Sequence, residues 1–326
     1  MKIAILDDFQ DVVRHLDCFQ LLKEHEVKVF NNRAVGLGQL AIRLAPFDAL
    51  VLIRERTHLT RALLERLPHL KLLSQTGKVS GNIDLEAAAA LNIAIAEGTG
   101  DPTAPAELTW ALIMASSRRL PNYAQQLQEG NWQLSSLYPA HNQLGRVLKR
   151  RTIGIWGYGK IGRLMAGYAK AFGMQVMVWG REASLVQAAQ DGHRIAASRA
   201  QFFAEADIVT LHLRLNDATR GIVTADDLAL MKPDALFVNT SRAELLQAGV
   251  LEAALDAGRP GFAALDVFET EPLPVQNTLL RRENVLATPH LGYVEKDSYE
   301  LYFGTAFQNI VNFANGTPSN LMQLQK

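Results

Sequence analysis

A single cysteine, Cys18, is all the thiol chemistry the chain holds. That excludes an internal disulfide, and no cluster of Cys and His stands at zinc-ligand spacing, so no metal is expected. Cys18 reads as a small buried hydrophobe rather than a nucleophile. Long apolar runs are also missing: nothing reaches the roughly 18 residues that a membrane span needs. The opening Met1-Lys2-Ile3-Ala4-Ile5-Leu6-Asp7-Asp8 is too short in its apolar part, and too soon acidic, to be a signal peptide. The cytoplasm is the expected location. Neither sign of charge is in excess, with Lys+Arg and Asp+Glu at 33 each. A balanced chain offers no field to attract nucleic acid or an anionic membrane, although a local basic cluster can still hold a small anion. No short repeat or low-complexity segment is visible.

What is present is the composition of an ordinary globular protein of 326 residues, enough for two domains with proper cores. Short apolar runs at Lys2–Leu6, Val27–Phe30, Ala49–Ile53, Leu70–Ser74 and Ile93–Ala96 predict strands. Helical patterns lie between them, as at Thr60–Leu67 and Leu85–Leu91. An apolar-faced helix is predicted from about Ala104 to Arg119, followed by an irregular polar stretch, Asn131–Arg151. A second strand series follows at Thr152–Trp156, Gln175–Trp179, Asp207–Leu211, Ala235–Asn239, Gly261–Asp266 and Val285–Ala287. A last helix is predicted at Lys296–Ala314. Strands alternating with helices imply βαβ units and parallel sheets, so the expected class is α/β with two doubly wound domains and a cleft between them.

The second series opens on Gly157-Tyr158-Gly159-Lys160-Ile161-Gly162, directly after a strand and at the start of a helix. This is G-x-G-x-x-G in the context it requires to cradle a dinucleotide. Gly157 permits the tight turn, Gly159 lets backbone approach the pyrophosphate, and Gly162 allows helix and strand to pack closely. The second strand of the series then ends at Gly180-Arg181, where an acid for the ribose 2′-hydroxyl is expected. A missing carboxylate beside a guanidinium favours a 2′-phosphate, hence NADP over NAD. In the competing reading Arg181 is a solvated loop residue and Glu182 takes the ribose.

Three later segments place a charged or titratable residue just after a strand, at the sheet edge where such folds bind ligands. They are Asn239-Thr240-Ser241-Arg242, Asp266-Val267-Phe268-Glu269-Thr270-Glu271-Pro272 and Pro289-His290-Leu291-Gly292. Reducing a 2-oxo acid needs a cation for the carboxylate and carbonyl, an acid for the new alkoxide, and a group that orients that acid. Arg242, His290 and Glu271 have the chemistry for those roles in that order. Each alone has a bland reading as a solvated or core residue, and their combination behind a dinucleotide motif carries the argument.

With these segments in this order the chain resembles the D-isomer-specific 2-hydroxyacid dehydrogenases, a family that includes phosphoglycerate dehydrogenase and glyoxylate/hydroxypyruvate reductases. The resemblance runs from Lys2 to about Asn320. It implies that Arg242, Glu271 and His290 are catalytic, that Asp266 meets the nicotinamide carboxamide, and that His212 belongs to the cofactor site. It implies a flavodoxin-like substrate domain, residues 1–101 and 295–326, into which a Rossmann domain, residues 102–294, is inserted. It implies a homodimer with the 104–151 region at its interface. The backbone of Gly77, Lys78 and Val79 would hold the substrate carboxylate, and Arg54 would meet a substrate phosphate with Lys78 adding a second charge. The implied substrate is a small anionic 2-hydroxy or 2-oxo acid, 3-phosphoglycerate among them, with glyoxylate or hydroxypyruvate as the alternative. The sequence departs from the family at Ala243, Arg214 and Lys78-Val79. Glu271 argues against the formate dehydrogenase branch, which carries glutamine there. A reading from another class is an NAD(H)-sensing interaction protein like the corepressors of this fold, which turnover of a 2-oxo acid would separate from an enzyme.

Overall fold

The computed structural model describes residues 1–324. In chain order its strands are β1 Lys2–Ile5, β2 Glu26–Val29, β3 Ala49–Leu52, β4 Leu72–Gln75, β5 Ala94–Ala96, β6 Thr152–Trp156, β7 Gln175–Trp179, β8 Arg194–Ile195, β9 Ile208–Leu211, β10 Leu236–Asn239, β11 Phe262–Leu265 and β12 Val285–Ala287. Its helices are α1 Gly36–Leu44, α2 Arg61–Leu64, α3 Leu85–Ala90, α4 Thr103–Arg118, α5 Leu120–Gln128, α6 Lys160–Ala171, α7 Glu182–Gln190, α8 Arg199–Glu205, α9 Ala225–Ala229, α10 Val250–Asp256 and α11 Lys296–Ala314. Two compact units emerge, one of Met1–Asp101 with the chain from Val294 on, the other Pro102–Tyr293. The last two positions of the segment 295–326 lie outside the described residues.

Unit 1 is a five-stranded parallel sheet in the order β2-β1-β3-β4-β5. Strands β1, β3 and β5 are nearly continuous apolar runs because both faces are covered, as a parallel sheet requires, whereas the edge strand β2 alternates polar and apolar residues. Leu50, Leu52 and Leu73 pack on one side with Leu63 and Ala87 of the helices. On the other side lies α11, where Phe303 and Phe307 stack against each other and Phe19 meets Phe307 edge-on. Ser74 donates to the Ala306 carbonyl at 2.9 Å, tying β4 to α11. Two short 3-10 turns between Val13 and Leu22 complete this side.

Unit 2 is a seven-stranded parallel sheet in the order β12-β11-β10-β9-β6-β7-β8. Successive residues of β10 feed opposite faces: Phe237 joins Phe202 and Phe203 on one, Leu236 and Val238 join Met165 and Ile155 on the other. Gly154, inside β6, is small for a packing reason, since a Cβ there would lie 2.8 Å from the Phe202 ring. The chain order reverses direction between β6 and β9, and ligands of such sheets sit outside the carboxyl ends at that switch point.

The strand at Arg194–Ile195 and helix α5 have no counterpart in the sequence reading. β8 is only a two-residue edge strand, and α5 is a short helix with Pro121 in its first turn, directly behind the predicted end of α4. The stretch Asn131–Arg151 contains no helix or strand.

Candidate active site

The glycine loop is built as a dinucleotide cradle. Gly157 has φ +102°, and a Cβ on it would stand 2.5 Å from the His212 carbonyl. The two turns at the switch point therefore close on each other, helped by the His212 N–H donating to the Trp156 carbonyl at 2.8 Å. A Cβ on Gly162 would lie 2.2 Å from the Gly157 carbonyl, so only glycine lets α6 start this close to β6. Gly159 faces open space, with nothing within 4 Å of its ideal Cβ. No side chain caps α6, whose first-turn N–H groups are left for an outside acceptor. Such a terminus favours a pyrophosphate. Open space at Gly159, closed contacts at Gly157 and Gly162, and an uncapped helix are what a bound dinucleotide requires.

Lys160 and Ile161 form the first turn of α6, the lysine exposed and the isoleucine packed into the core. Tyr158 turns away from the loop and donates to Asp191 at 2.8 Å, with burial and that carboxylate both pushing its phenol up. His212 sits by Thr210 Oγ1 at 3.0 Å, and desolvation pushes its imidazole down to about 3, so it is neutral near pH 7. Gly180 follows β7, and a Cβ on it would meet only ordinary contacts, the nearest being Ser184 at 3.7 Å. Arg181 is exposed, and its side chain makes no hydrogen bond or ion pair among the described residues.

The carboxyl edge of the same sheet carries Arg242 after β10, Asp266 and Glu271 after β11, and His290 after β12. Asn239 shapes the first turn: its side chain accepts from the Ser241 N–H at 3.0 Å and donates to the Arg242 carbonyl at 2.9 Å. Arg242 Nη1 donates to the Ser241 carbonyl at 2.7 Å. His290 Nδ1 and Glu271 Oε2 are 2.7 Å apart, and the other Glu271 oxygen accepts from the Phe268 N–H at 2.9 Å. Burial pushes the Glu271 carboxyl up, but the hydrogen bond and charge of His290, the Phe268 N–H and the charge of Arg242 outweigh it, holding it below the ordinary carboxylate range. An ionised Glu271 fixes the proton on Nδ1 and leaves Nε2 as the ring nitrogen for chemistry. Tyr293 meets the His290 ring edge-on at 5.5 Å.

Asp266 is fully buried, and its work in the structure is inside this loop. Its two oxygens accept from Thr288 Oγ1 at 2.7 Å, the Leu291 N–H at 2.7 Å and the Gly292 N–H at 2.9 Å. Burial pushes its carboxyl up in spite of these donors. His290 itself has φ +54°, and the two N–H groups that follow it are the ones Asp266 grips. That hold on the histidine loop is invisible in the sequence.

In unit 1 the structure brings Arg54 and Gly77 together: a Cβ on Gly77 would lie 2.0 Å from Arg54 Nη1. Arg54 follows β3 with φ +52°, its N–H bonded to Thr76 Oγ1 at 2.9 Å. Its Nε stands 3.9 Å from Glu55. Lys78 and Val79 are already engaged. Glu97, after β5, accepts from Lys78 Nζ at 2.7 Å and from the Val79 N–H at 2.9 Å. The Gly77 and Lys78 N–H groups have no acceptor among the described residues. Glu97 is the residue that sequence reasoning missed. Its signal was its place, just after a strand on the same sheet edge as Arg54 and Gly77. No group of three or more His, Cys, Asp or Glu side chains that could hold a metal occurs among the described residues.

Residues 110–292 match the family model "D-isomer specific 2-hydroxyacid dehydrogenase, NAD binding domain". A Glyoxylate reductase of Aeropyrum pernix is 36% identical over 80% of this chain and 78% of its own. A D-3-phosphoglycerate dehydrogenase of Methanocaldococcus jannaschii is 32% identical over 100% of this chain, which spans only 62% of that longer protein. The crystal structure of a phosphoglycerate oxidoreductase from Vibrio cholerae O395 is 55% identical, with TM-score 0.93 over 97% of this chain and 99% of that one.

Proposed function

The chain belongs to the D-isomer specific 2-hydroxyacid dehydrogenases, oxidoreductases that act on CH–OH donors with a nicotinamide cofactor, and from that premise we propose a mechanism, a substrate class and a division of labour between its units. Unit 2 binds the dinucleotide through Gly157–Gly162 and carries the proton chemistry; unit 1 recognises the acid. The observation that carries the mechanism is the 2.7 Å contact between His290 Nδ1 and Glu271.

A bound reduced nicotinamide supplies a hydride to C2 of a 2-oxo acid. His290 Nε2 gives its proton to the carbonyl oxygen as that oxygen becomes an alkoxide, so the ketone ends as the alcohol and the imidazole ends neutral. Glu271 holds the ring and stabilises the imidazolium before transfer. Arg242 supplies the planar fork for the substrate carboxylate. Asp266, beyond its hold on the histidine loop, is assigned to the carboxamide, and His212 to the cofactor pocket. In the oxidative direction the same atoms run in reverse.

The first substrate reading is 3-phosphoglycerate, supported by the name of the near-full-length Vibrio cholerae relative and by Arg54 beside Gly77. The second, a singly charged acid such as glyoxylate or hydroxypyruvate, is favoured by Glu97 on Lys78 and Glu55 near Arg54, which leave this loop without surplus positive charge. For the cofactor, an exposed Arg181 without a partner beside a glycine where an acid is expected supports NADP. We assign the enzyme to the cytoplasm, in keeping with no helix among the described residues being long and apolar enough to cross a membrane. We also assign it to a homodimer. The exposed Trp132, Tyr138, Leu144 and Val147 cluster in one irregular stretch, as an interface would have it.

The test is a panel of glyoxylate, hydroxypyruvate, 3-phosphohydroxypyruvate and pyruvate, each with NADH and NADPH, in wild type, Arg54→Ala and Arg181→Ala. Turnover of at least one acid is expected. A loss confined to the phosphorylated acid in Arg54→Ala supports the first substrate reading, and no turnover of any acid overturns the enzymatic one. An NADPH/NADH ratio unchanged in Arg181→Ala removes the 2′-phosphate role.

A further inference from the structure

Strand β4 ends in two polar residues, Ser74 and Gln75, and both are fully buried. Inner strands of a parallel sheet are otherwise apolar, so a buried polar side chain there needs partners. Ser74 has one in the bond that ties β4 to α11. Gln75 reaches sideways instead, and its Nε2 donates to the Arg54 carbonyl at 2.8 Å. The next residue, Thr76, is 1% exposed and takes the other backbone group of Arg54. Its Oγ1 accepts from the Arg54 N–H at 2.9 Å and donates to the Leu52 carbonyl at 2.9 Å. The N–H and the carbonyl of one residue are thus both held by side chains from the neighbouring strand end.

Asn82, also buried, sets the direction of these bonds. Its Nδ2 faces three oxygens: Gln75 Oε1 and the Arg54 carbonyl at 3.3 Å, and the Thr57 carbonyl at 3.4 Å. Its Oδ1 is buried and has no partner among the described residues. A buried acceptor without a donor costs stability. Turning the amide over would be worse, since it would set an oxygen against those three oxygens. Asn82 therefore donates, and Gln75 is fixed with its oxygen toward Asn82 and its nitrogen toward Arg54.

What this frame holds is an arginine at φ +52°, a region that disfavours a residue with a side chain. In that form the guanidinium comes against Gly77, where a Cβ would lie 2.0 Å from Nη1 and 3.1 Å from Cζ. Gly77 is pinned from its other side, the Gly98 N–H donating to its carbonyl at 2.8 Å. We propose that Gln75 and Thr76, directed by Asn82, are positioning residues for substrate recognition. They hold the Arg54 backbone left-handed, so that its fork and the N–H groups of Gly77 and Lys78 act as one preset anion clamp. Presetting matters because a long side chain otherwise loses rotamer freedom when it binds. The inference rests on the proposed role of Arg54 in meeting the acid, and uses contacts within unit 1 alone.

The test is steady-state kinetics of the full chain with the panel acid that wild type turns over best, in Gln75→Met, Arg54→Ala and the double variant. Gln75→Met keeps the volume and removes the donor. It is expected to raise the KM for the acid about three- to tenfold, with kcat and the nicotinamide KM within about twofold of wild type. Because Gln75 acts through Arg54, the double variant should be no worse than Arg54→Ala alone, whereas independent effects would multiply. Thr76→Val keeps the shape, removes the other bond, and is expected to raise the acid KM about two- to fourfold; it carries the same cycle if Gln75→Met does not fold. The proposal fails if these variants lower the melting temperature but leave the acid KM unchanged, if their effects multiply with that of Arg54→Ala, or if the nicotinamide KM rises in parallel. In each of those cases the amides are packing only, and the role of Arg54 still stands. If no acid is turned over, or if Arg54→Ala itself leaves the acid KM unchanged, that role falls and this proposal falls with it.

Discussion

Both units are parallel sheets and both collect their charged residues at the carboxyl edge, but they handle those charges in opposite ways. In unit 2 the groups assigned to chemistry are gripped by backbone N–H groups or by one another. Glu271 is held by the Phe268 N–H, Asp266 by the Leu291 and Gly292 N–H groups, and His290 by Glu271. In unit 1 the cations have carboxylate neighbours close in the fold, Lys78 on Glu97 and Arg54 near Glu55. A group that must move a proton gains from a fixed geometry, because rate depends steeply on position. A group that only recognises an acid can be tuned by a neighbour of opposite charge. On the proposed reading, the reaction belongs to the edge held by hydrogen bonds, and substrate choice to the edge of paired charges.

The largest effect that would break this comparison is at His290. His290→Ala is expected to lower kcat by about 10²–10⁴, the usual worth of a positioned general acid. Cofactor binding, followed by quenching of intrinsic fluorescence, should survive. Near-wild-type turnover would mean the rigid edge is only scaffold.

Next come the glycines. Gly162→Ala drives a Cβ to within 2.2 Å of the Gly157 carbonyl, so it should cost both stability and cofactor affinity. Gly159→Ala meets open space within the protein, so melting should be nearly unchanged while the cofactor KM rises about tenfold or more. If both variants behave alike in melting and in KM, the cradle geometry is not what binds the dinucleotide.

Glu271 gives a smaller, pH-dependent effect. Its carboxyl is held below the ordinary range, so its stabilising share is present above the unfolded value of about 4.3 and is lost as pH falls through the folded one. Glu271→Gln should therefore be less stable than wild type at pH 7 by about 1 kcal/mol, with the gap closing toward pH 3. Urea melts at the two pH values check this, and a gap that widens in acid would contradict it.

The smallest expected change sharpens the unit 1 side. Glu97→Gln releases Lys78, whose head is well exposed, so the gain is limited by solvent. The kcat/KM for 3-phosphohydroxypyruvate relative to hydroxypyruvate is expected to rise about two- to fivefold. No change would take Lys78 out of substrate selection.

Much of this was legible in the sequence where one local signal sufficed. Thr152–Trp156 and Gln175–Trp179 are strands residue for residue, because each apolar run is flanked by polar or glycine positions that end it. The glycine loop announced the switch point in the same way. The segment from Asp8 to Lys23 carried no periodic pattern, since it folds as short 3-10 turns that α11 holds in place from the far end of the chain. Glu97 was missed for a related reason. Its partners Lys78 and Val79 lie on the neighbouring strand connection, and only pairing of β4 with β5 puts the three side by side. Arg119 read as the last residue of a helix, and nothing in the sequence told that its side chain turns inward.

The left-handed backbone at His290 has a consequence for the history of such a chain. Asparagine or glycine sits more easily at φ +54° than histidine does. Selection for thermal robustness alone would therefore drift toward erasing the imidazole, and a lineage relieved of its chemistry would be rewarded for doing so. The buried Asp266, by gripping the two N–H groups that follow, holds the histidine in that posture.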